Sequence, residues 1–161
     1  MTTTPSLSLK DPATLLATWF GAGLLPKAPG TWGSLAALPF AWALTALGGR
    51  PLLAVAAVLL FPAGCWAAGQ VGRILGRGDP GCVVVDEVVG LWIVLLAAPP
   101  GLLAWVIGFA LFRLFDIVKP WPISWADREV KGGLGIMLDD VLAGLIGAAV
   151  MAILCQFWSL R

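Results

Sequence analysis

Pro51 to Gln70 reads PLLAVAAVLLFPAGCWAAGQ, twenty residues without one charge. That is the length an α-helix needs to cross the hydrocarbon layer of a bilayer, about 20 residues. Four more apolar stretches flank it: Thr31 to Leu47 before, and Val83 to Ala98, Gly101 to Phe112 and Ile136 to Trp158 after. The pattern predicts an all-α, polytopic membrane helical bundle of about five short membrane helices plus one or two interfacial helices. The third and fourth are short for a full crossing, so tilt, local thinning or a hairpin that stops short all remain open. Gly48-Gly49-Arg50-Pro51 and Pro99-Pro100-Gly101 mark the tight turns on one side. Composition agrees: 60% of residues are hydrophobic and 12% charged, and the mean hydropathy is +0.94, which excludes an ordinary water-soluble domain. The expected organisation is a disordered tail over 1–11 and one membrane-embedded domain over 12–161.

The charges are segregated. All nine carboxylates, Asp11, Asp79, Asp86, Glu87, Asp116, Asp127, Glu129, Asp139 and Asp140, fall in segments that this reading puts on one side of the membrane. Lys10, Lys27, Arg73, Arg77, Arg113, Lys119, Arg128 and Lys131 share that side, against Arg50 and Arg161 on the other. Basic loops stay cytoplasmic, so the acidic face is expected to be cytoplasmic. No basic patch points to nucleic acid. Met1 to Ser8 lacks both a basic and an apolar run, so no cleavable signal peptide is expected. Asp11-Pro12 predicts the N-cap and first residue of a short helix whose Leu15, Leu16, Trp19 and Phe20 lie in the headgroup region. Trp19, Trp32, Trp121 and Trp125 are expected chiefly as interfacial anchors. Cys65, Cys82 and Cys155 have no paired spacing and are expected to be reduced structural thiols.

Three blocks carry the chemistry. Gly21-Ala-Gly-Leu-Leu-Pro-Lys-Ala-Pro-Gly-Thr-Trp-Gly-Ser34 dictates a non-helical backbone ahead of a helix that Thr31 or Ser34 could cap. Its free N–H groups, with Lys27, suit a phosphate. Asp79 to Gly90 brings Asp86 and Glu87 into a helix start, with Gly90 one turn after Asp86 on the same face. Glu87 lies about 100° round the helix from Asp86, so the two need not bind one atom. The plain alternative is that both acids merely complement the helix dipole. The third block, Arg113 to Asp140, contains the i, i+3 pair Arg113 and Asp116, then Lys119-Pro120, Asp127-Arg128-Glu129 and Asp139-Asp140. Asp140 and Gly144 repeat the spacing of Asp86 and Gly90. Asp127 to Glu129 reads equally as the solvated face of a short amphipathic helix. Ionisable groups at the ends of apolar helices are expensive and mark sites. An oxygen-only set without histidine selects a hard cation, Mg²⁺ first, held with substrate phosphate oxygens.

GAGLLPKAPGTWGSLAALP, DPGCVVVDEVVG and FRLFDIVKPWPISWADREVKGGLGIMLDD followed by VLAG together make the chain, over roughly residues 14 to 158, resemble the phosphatidylglycerophosphatase A family of bacterial membrane lipid phosphatases. The resemblance implies Mg²⁺-dependent removal of the terminal phosphate of phosphatidylglycerophosphate, giving phosphatidylglycerol, in the inner membrane. The expected catalytic residues are Asp86, Glu87, Asp116, Asp139 and Asp140, with Asp86, Glu87, Asp139 and Asp140 as metal ligands. Lys27, Thr31, Arg113, Lys119 and Arg128 are expected to bind the substrate phosphate. Without histidine a phosphohistidine enzyme is excluded. Neither Cys65 nor Cys82 begins a cysteine-phosphatase loop, and no Asp-x-Asp motif exists. Attack by an activated water is favoured, and an aspartyl phosphoenzyme on other spacing stays open.

The alternative from another class is a small cation-coupled transporter subunit. A through-pathway needs polar groups in the far half, where the helices offer little beyond Thr45, Gln70 and Gln156. A lipid-synthesis transferase lacks the Asp-Gly-rich CDP-alcohol signature here, and an assembly factor would not need five clustered acids.

Overall fold

A computed structural model describes residues 7–159. Among them lie six α-helices and no strand: α1 (Pro12–Ala17), α2 (Pro29–Leu75), α3 (Val85–Ala97), α4 (Leu102–Val118), α5 (Ile123–Glu129) and α6 (Gly132–Ser159), with a one-turn 3₁₀ segment at Ala22–Leu24. The expected all-helical class holds. Two helices, α2 and the Gly132–Phe157 part of α6, are long and apolar enough to cross a membrane. Residues 1–6 of the expected tail and Arg161 lie outside the described residues. From Leu7 the chain already packs on the core, and Asp11 N–H bonds Ser8 O at 2.9 Å.

Straight, the 47 residues of α2 would extend about 70 Å. The helix instead folds back at Gly48 (φ −146°, ψ 16°) and Gly49 (φ 67°, ψ −168°), the second in a region of backbone space that is essentially reserved for glycine. The contacts of α3 prove the reversal. Gly33 packs on Val84 and Gly64 on Val85, so two residues of α2 on either side of the double glycine lie level with one end of α3. Pro51 follows as a helix-starting residue, where its missing N–H costs nothing. At the far end Arg50 Nη2 donates to Ala98 O at 2.7 Å and so satisfies a carbonyl left over at the end of α3.

The other helices alternate around α3, which is buried on nearly every side. Phe112 of α4 meets Gly90, and Gly108 meets Val94 and Leu95, so α4 runs antiparallel to α3. In α6, Gly144 lies against Gly90 and Gly147 against Val94, so α6 runs parallel to α3. α6 starts one turn earlier than its apolar run suggests, in spite of Gly132, Gly133 and Gly135. The reason is packing: a Cβ on Gly133 would strike the backbone carbonyl of Cys65 and lie 2.8 Å from Gly69 N, and small residues of this kind let helix backbones touch. The start of α2, its last turn, the start of α3, the end of α4 and the start of α6 therefore share one end of the bundle. Gln70 belongs to that end too, not to the far half where the sequence reading put it.

α1 begins as expected, with Asp11 accepting from Thr14 N at 2.8 Å and Pro12 at the first position. This bond is the main reason the Asp11 carboxyl is held below its ordinary pKa. Two other expectations are corrected. α2 begins at Pro29 behind a left-handed Ala28, without a side-chain cap, and Ser34 Oγ donates to Gly30 O instead. Trp19 is not an exposed anchor but 5% exposed, because left-handed Trp19 and Phe20 turn the chain inward. Its ring meets Phe20, Phe40 and Trp92 edge-on at 5.2, 5.0 and 5.7 Å. Trp32, Trp121 and Trp125 are exposed, and the three cysteines are free thiols.

Candidate active site

Gly90 and Gly144 create the site by letting two helices touch. A Cβ on Gly144 would come within 3.0 Å of Gly90 Cα, and one on Gly90 within 2.6 Å of Asp140 O. Since α3 and α6 run parallel, the residues one turn before each glycine, Asp86 and Asp140, face each other across the crossing. Asp86, Glu87 and Asp140 each offer a carboxylate oxygen, and these atoms all lie within 4.8 Å of one another. The twist between successive helix positions thus does not keep the Glu87 carboxylate away from that of Asp86, and Asp140 joins them from the neighbouring helix.

These carboxylates are buried and under-satisfied. Asp86 is 9% exposed and Asp140 3%, and among the described residues Asp86 Oδ1, Glu87 Oε2, Asp139 Oδ1 and Asp140 Oδ2 have no hydrogen-bond partner. Charges removed from water without partners are strongly unfavourable, and the Asp86, Glu87 and Asp140 oxygens are close enough together that a metal ion could bind them. Helix capping does not explain it. The N-cap of α3 is Val84, with no side-chain bond, and Asp139 and Asp140 lie two turns inside α6, beyond the reach of its dipole.

Two cations rim the acids. Arg113 Nη1 stands 2.6 Å from Asp116 Oδ2 and 3.9 Å from Glu87 Oε1. Its N–H bonds do not point along either line, so Nε and Nη1 lack acceptors. Lys119 Nζ reaches Asp139 Oδ2 at 2.5 Å and Asp127 Oδ1 at 2.6 Å. Asp139, expected among the metal ligands, is therefore engaged at one oxygen by a lysine. Asp127, for which a solvated helix face is an equal reading, is exposed and forms the other half of that lysine's cradle. The left-handed Lys119 and Pro120 reverse the chain and return α5 to the rim, which local spacing does not reveal. Burial disfavours the Lys119 charge, but the two carboxylates outweigh it and raise its pKa. Six acids, Asp86, Glu87, Asp116, Asp127, Asp139 and Asp140, against Arg113 and Lys119 leave four formal negative charges.

The remaining expected residues are less involved. Gly30, at the start of α2, is the point of closest approach: a Cβ there would overlap the Glu87 carboxylate and stand 3.0 Å from Arg113 Nη1. Thr31 is half-buried beside it, its N–H bonded to Ala28 O. Lys27 is exposed in the preceding loop with φ 60°. Arg128 is exposed and directs Nε to Ser124 O within its own helix at 2.9 Å, so it stands apart from the cluster. Gly30 went unnoticed as a site residue, although the Pro29-Gly30 pair before an apolar run was its available signal.

The Phosphatidylglycerophosphatase A family model matches residues 15–155. Phosphatidylglycerophosphatase A of Escherichia coli strain K12 is 43% identical over 155 residues, covering 96% of this chain and 90% of the relative. The protein of that name from Haemophilus influenzae is also 43% identical, covering 96% and 94%. A Bacteroides thetaiotaomicron relative, provisionally named a phosphatidylinositol-3-phosphatase, is 46% identical and covers 86% of this chain and 91% of its own length. No solved structure matches. None of this supports the transporter alternative. Identity at this level along nearly the whole chain, with the acidic cluster inside the matched region, places the protein in the phosphatidylglycerophosphatase A family, and it is a phosphatase.

Proposed function

We propose that the protein hydrolyses phosphatidylglycerophosphate to phosphatidylglycerol and inorganic phosphate, with Mg²⁺, at the cytoplasmic face of a bacterial plasma membrane. The observation that carries this reading is the trio Asp86, Glu87 and Asp140, whose carboxylate oxygens lie within 4.8 Å of one another, Asp86 and Asp140 buried and each of the three with one oxygen lacking a hydrogen-bond partner among the described residues. Oxygen-only ligands and an excess of negative charge fit a hard divalent cation. Asp86, Glu87 and Asp140 would hold it, and the bound ion would supply positive charge to the phosphate oxygens.

The chain's own residues do the rest. Arg113 and Lys119 sit where they can trade a carboxylate for a phosphate oxygen and neutralise charge as the transition state spreads it. A water attacks phosphorus, the bond from phosphorus to the lipid oxygen breaks, and that oxygen takes a proton. The water's proton passes to a carboxylate of the cluster and from there to the departing lipid oxygen, so the step balances without a further proton donor. The Gly48–Gly49 reversal makes α2 two antiparallel spans. With α3, α4 and α6 these give five crossings that all bring their charged ends to one face, where a lipid headgroup lies.

The test is purified protein in detergent, given phosphatidylglycerophosphate, phosphatidic acid and a phosphatidylinositol 3-phosphate, with Mg²⁺ or chelator. Phosphate release should be fastest from the first and vanish on chelation. Undiminished turnover after exhaustive chelation overturns the metal assignment, and faster release from either other lipid overturns the substrate assignment.

A further inference from the structure

A groove of about 460 Å³ lies between the first half of α2 and α4, and its lining is almost wholly apolar. Leu35, Leu38 and Trp42 form one wall, and Leu102, Val106 and Phe109 the other. Its position distinguishes it from an arbitrary greasy surface. Leu35 lies one turn past Thr31 on the same face of α2, and Phe109 one turn before Arg113 on the same face of α4. The groove therefore opens at the place where Gly30 approaches Arg113 and Glu87. Its lining on α4 runs from Phe109 to Leu102, about 10 Å of helix, and Arg113 stands one turn beyond, so the path from Arg113 to the groove's far end is about 16 Å. That is close to half of a ~30 Å hydrocarbon layer, the depth of one leaflet.

We propose that this groove seats an acyl chain of the phospholipid whose phosphate lies at Arg113. The inference rests on the lipid phosphatase reading and deepens it. A headgroup at the acidic cluster must send its chains toward the bilayer centre, and the α2–α4 groove is an apolar path of one-leaflet length leaving the site in that direction. Seating a chain there fixes where the headgroup stops, so the groove sets phosphate position and discriminates lipid from soluble phosphomonoesters. Bulk lipid lying loosely against the surface is the competing occupant.

The experiment uses wild-type protein in nanodiscs of phosphatidylcholine with a phosphatidylglycerophosphate analogue carrying a photoactivatable diazirine midway along one acyl chain. Crosslinks should concentrate on residues 35–42 and 102–109 and be displaced by unlabelled phosphatidylglycerophosphate. Equal labelling of the outward faces at Val55, Leu59 and Ile153, or labels that the unlabelled lipid does not displace, would overturn the proposal. A second measurement fills the groove with Val106→Trp. The ratio of kcat/KM for long-chain over short-chain substrate should fall about tenfold, a cost in the range that misplacing a substrate produces. An unchanged ratio also defeats the groove. Failure of the wild-type protein to release phosphate from either substrate defeats the phosphatase reading instead, so the two failures are distinguishable.

Discussion

Asp86 and Asp140 carry the heaviest burden of any residues here, because each is buried with an oxygen that no described residue satisfies. Asparagine keeps their shape and loses the charge a hard cation requires. Asp86→Asn and Asp140→Asn should insert and purify normally, yet lose about two to three orders of magnitude in turnover, the scale of one lost transition-state contact. Added Mg²⁺ should raise the melting temperature of the wild-type protein through preferential binding to the folded state and leave both variants unmoved; an equal rise in the variants would refute the ligand assignment. Asp139 belongs to a different pairing. Asp139→Asn and Lys119→Met should each cost less than Asp140→Asn and combine non-additively in a double-mutant cycle, as residues sharing one ion pair do. Additive losses would show that Asp139 acts apart from the lysine. The raised Lys119 pKa means that the pairing is complete below the unfolded value of about 10.4 and fades only as pH rises through the higher folded one. Titration of Lys119 should therefore add no step to the activity profile between about pH 6 and 9. Glu129, exposed at the end of α5, should tolerate glutamine.

Among elements, the crossing of α3 and α6 decides whether the acids meet. A Cβ at Gly144 meets the backbone of Gly90 rather than a side chain that could swing away. Gly144→Ala should therefore push the helices apart, costing about 1–3 kcal/mol as overpacking does, and lower turnover by separating Asp86 from Asp140. Thermal unfolding and phosphate release measured on the same preparation would check both halves of the claim. Gly81 has open space around it, so Gly81→Ala should stay within about 0.5 kcal/mol of the parent. Equal effects at the two positions would mean that the helix contact does not control the site.

For the whole molecule, the decisive property is that every helix end bearing a carboxylate lies at one end of the bundle. With the native cysteines replaced, Leu47→Cys, 82% exposed beside the reversal, should react only from the far side of the membrane. Lys131→Cys, exposed before α6, should react only from the cytoplasm. Labelling of both from one side would refute the proposed five-crossing arrangement. The same polarity gives the transporter alternative no support: at the far end, Arg50 donates to Ala98 O and Thr45 Oγ to the Ala41 and Trp42 carbonyls, bonds made within the bundle.

The sequence by itself determined the helical class, the segregation of charge and the identity of the acids. These depend on hydrophobic run length and residue chemistry, which are local. It also showed the Asp86–Gly90 and Asp140–Gly144 spacings, since four residues always share a helix face. It could not decide which acids come together. That depends on α3 and α6 touching at Gly90 and Gly144, a contact between positions more than fifty residues apart, and on Lys119 turning back to occupy Asp139. Trp19 was misread for the same reason. An aromatic residue near a membrane interface is ordinarily an anchor, and only the left-handed turn at Trp19 and Phe20 and the rings of Phe40 and Trp92 put it inside. Sequence states what each residue can do, and the packing of distant helices selects which of those capacities is used.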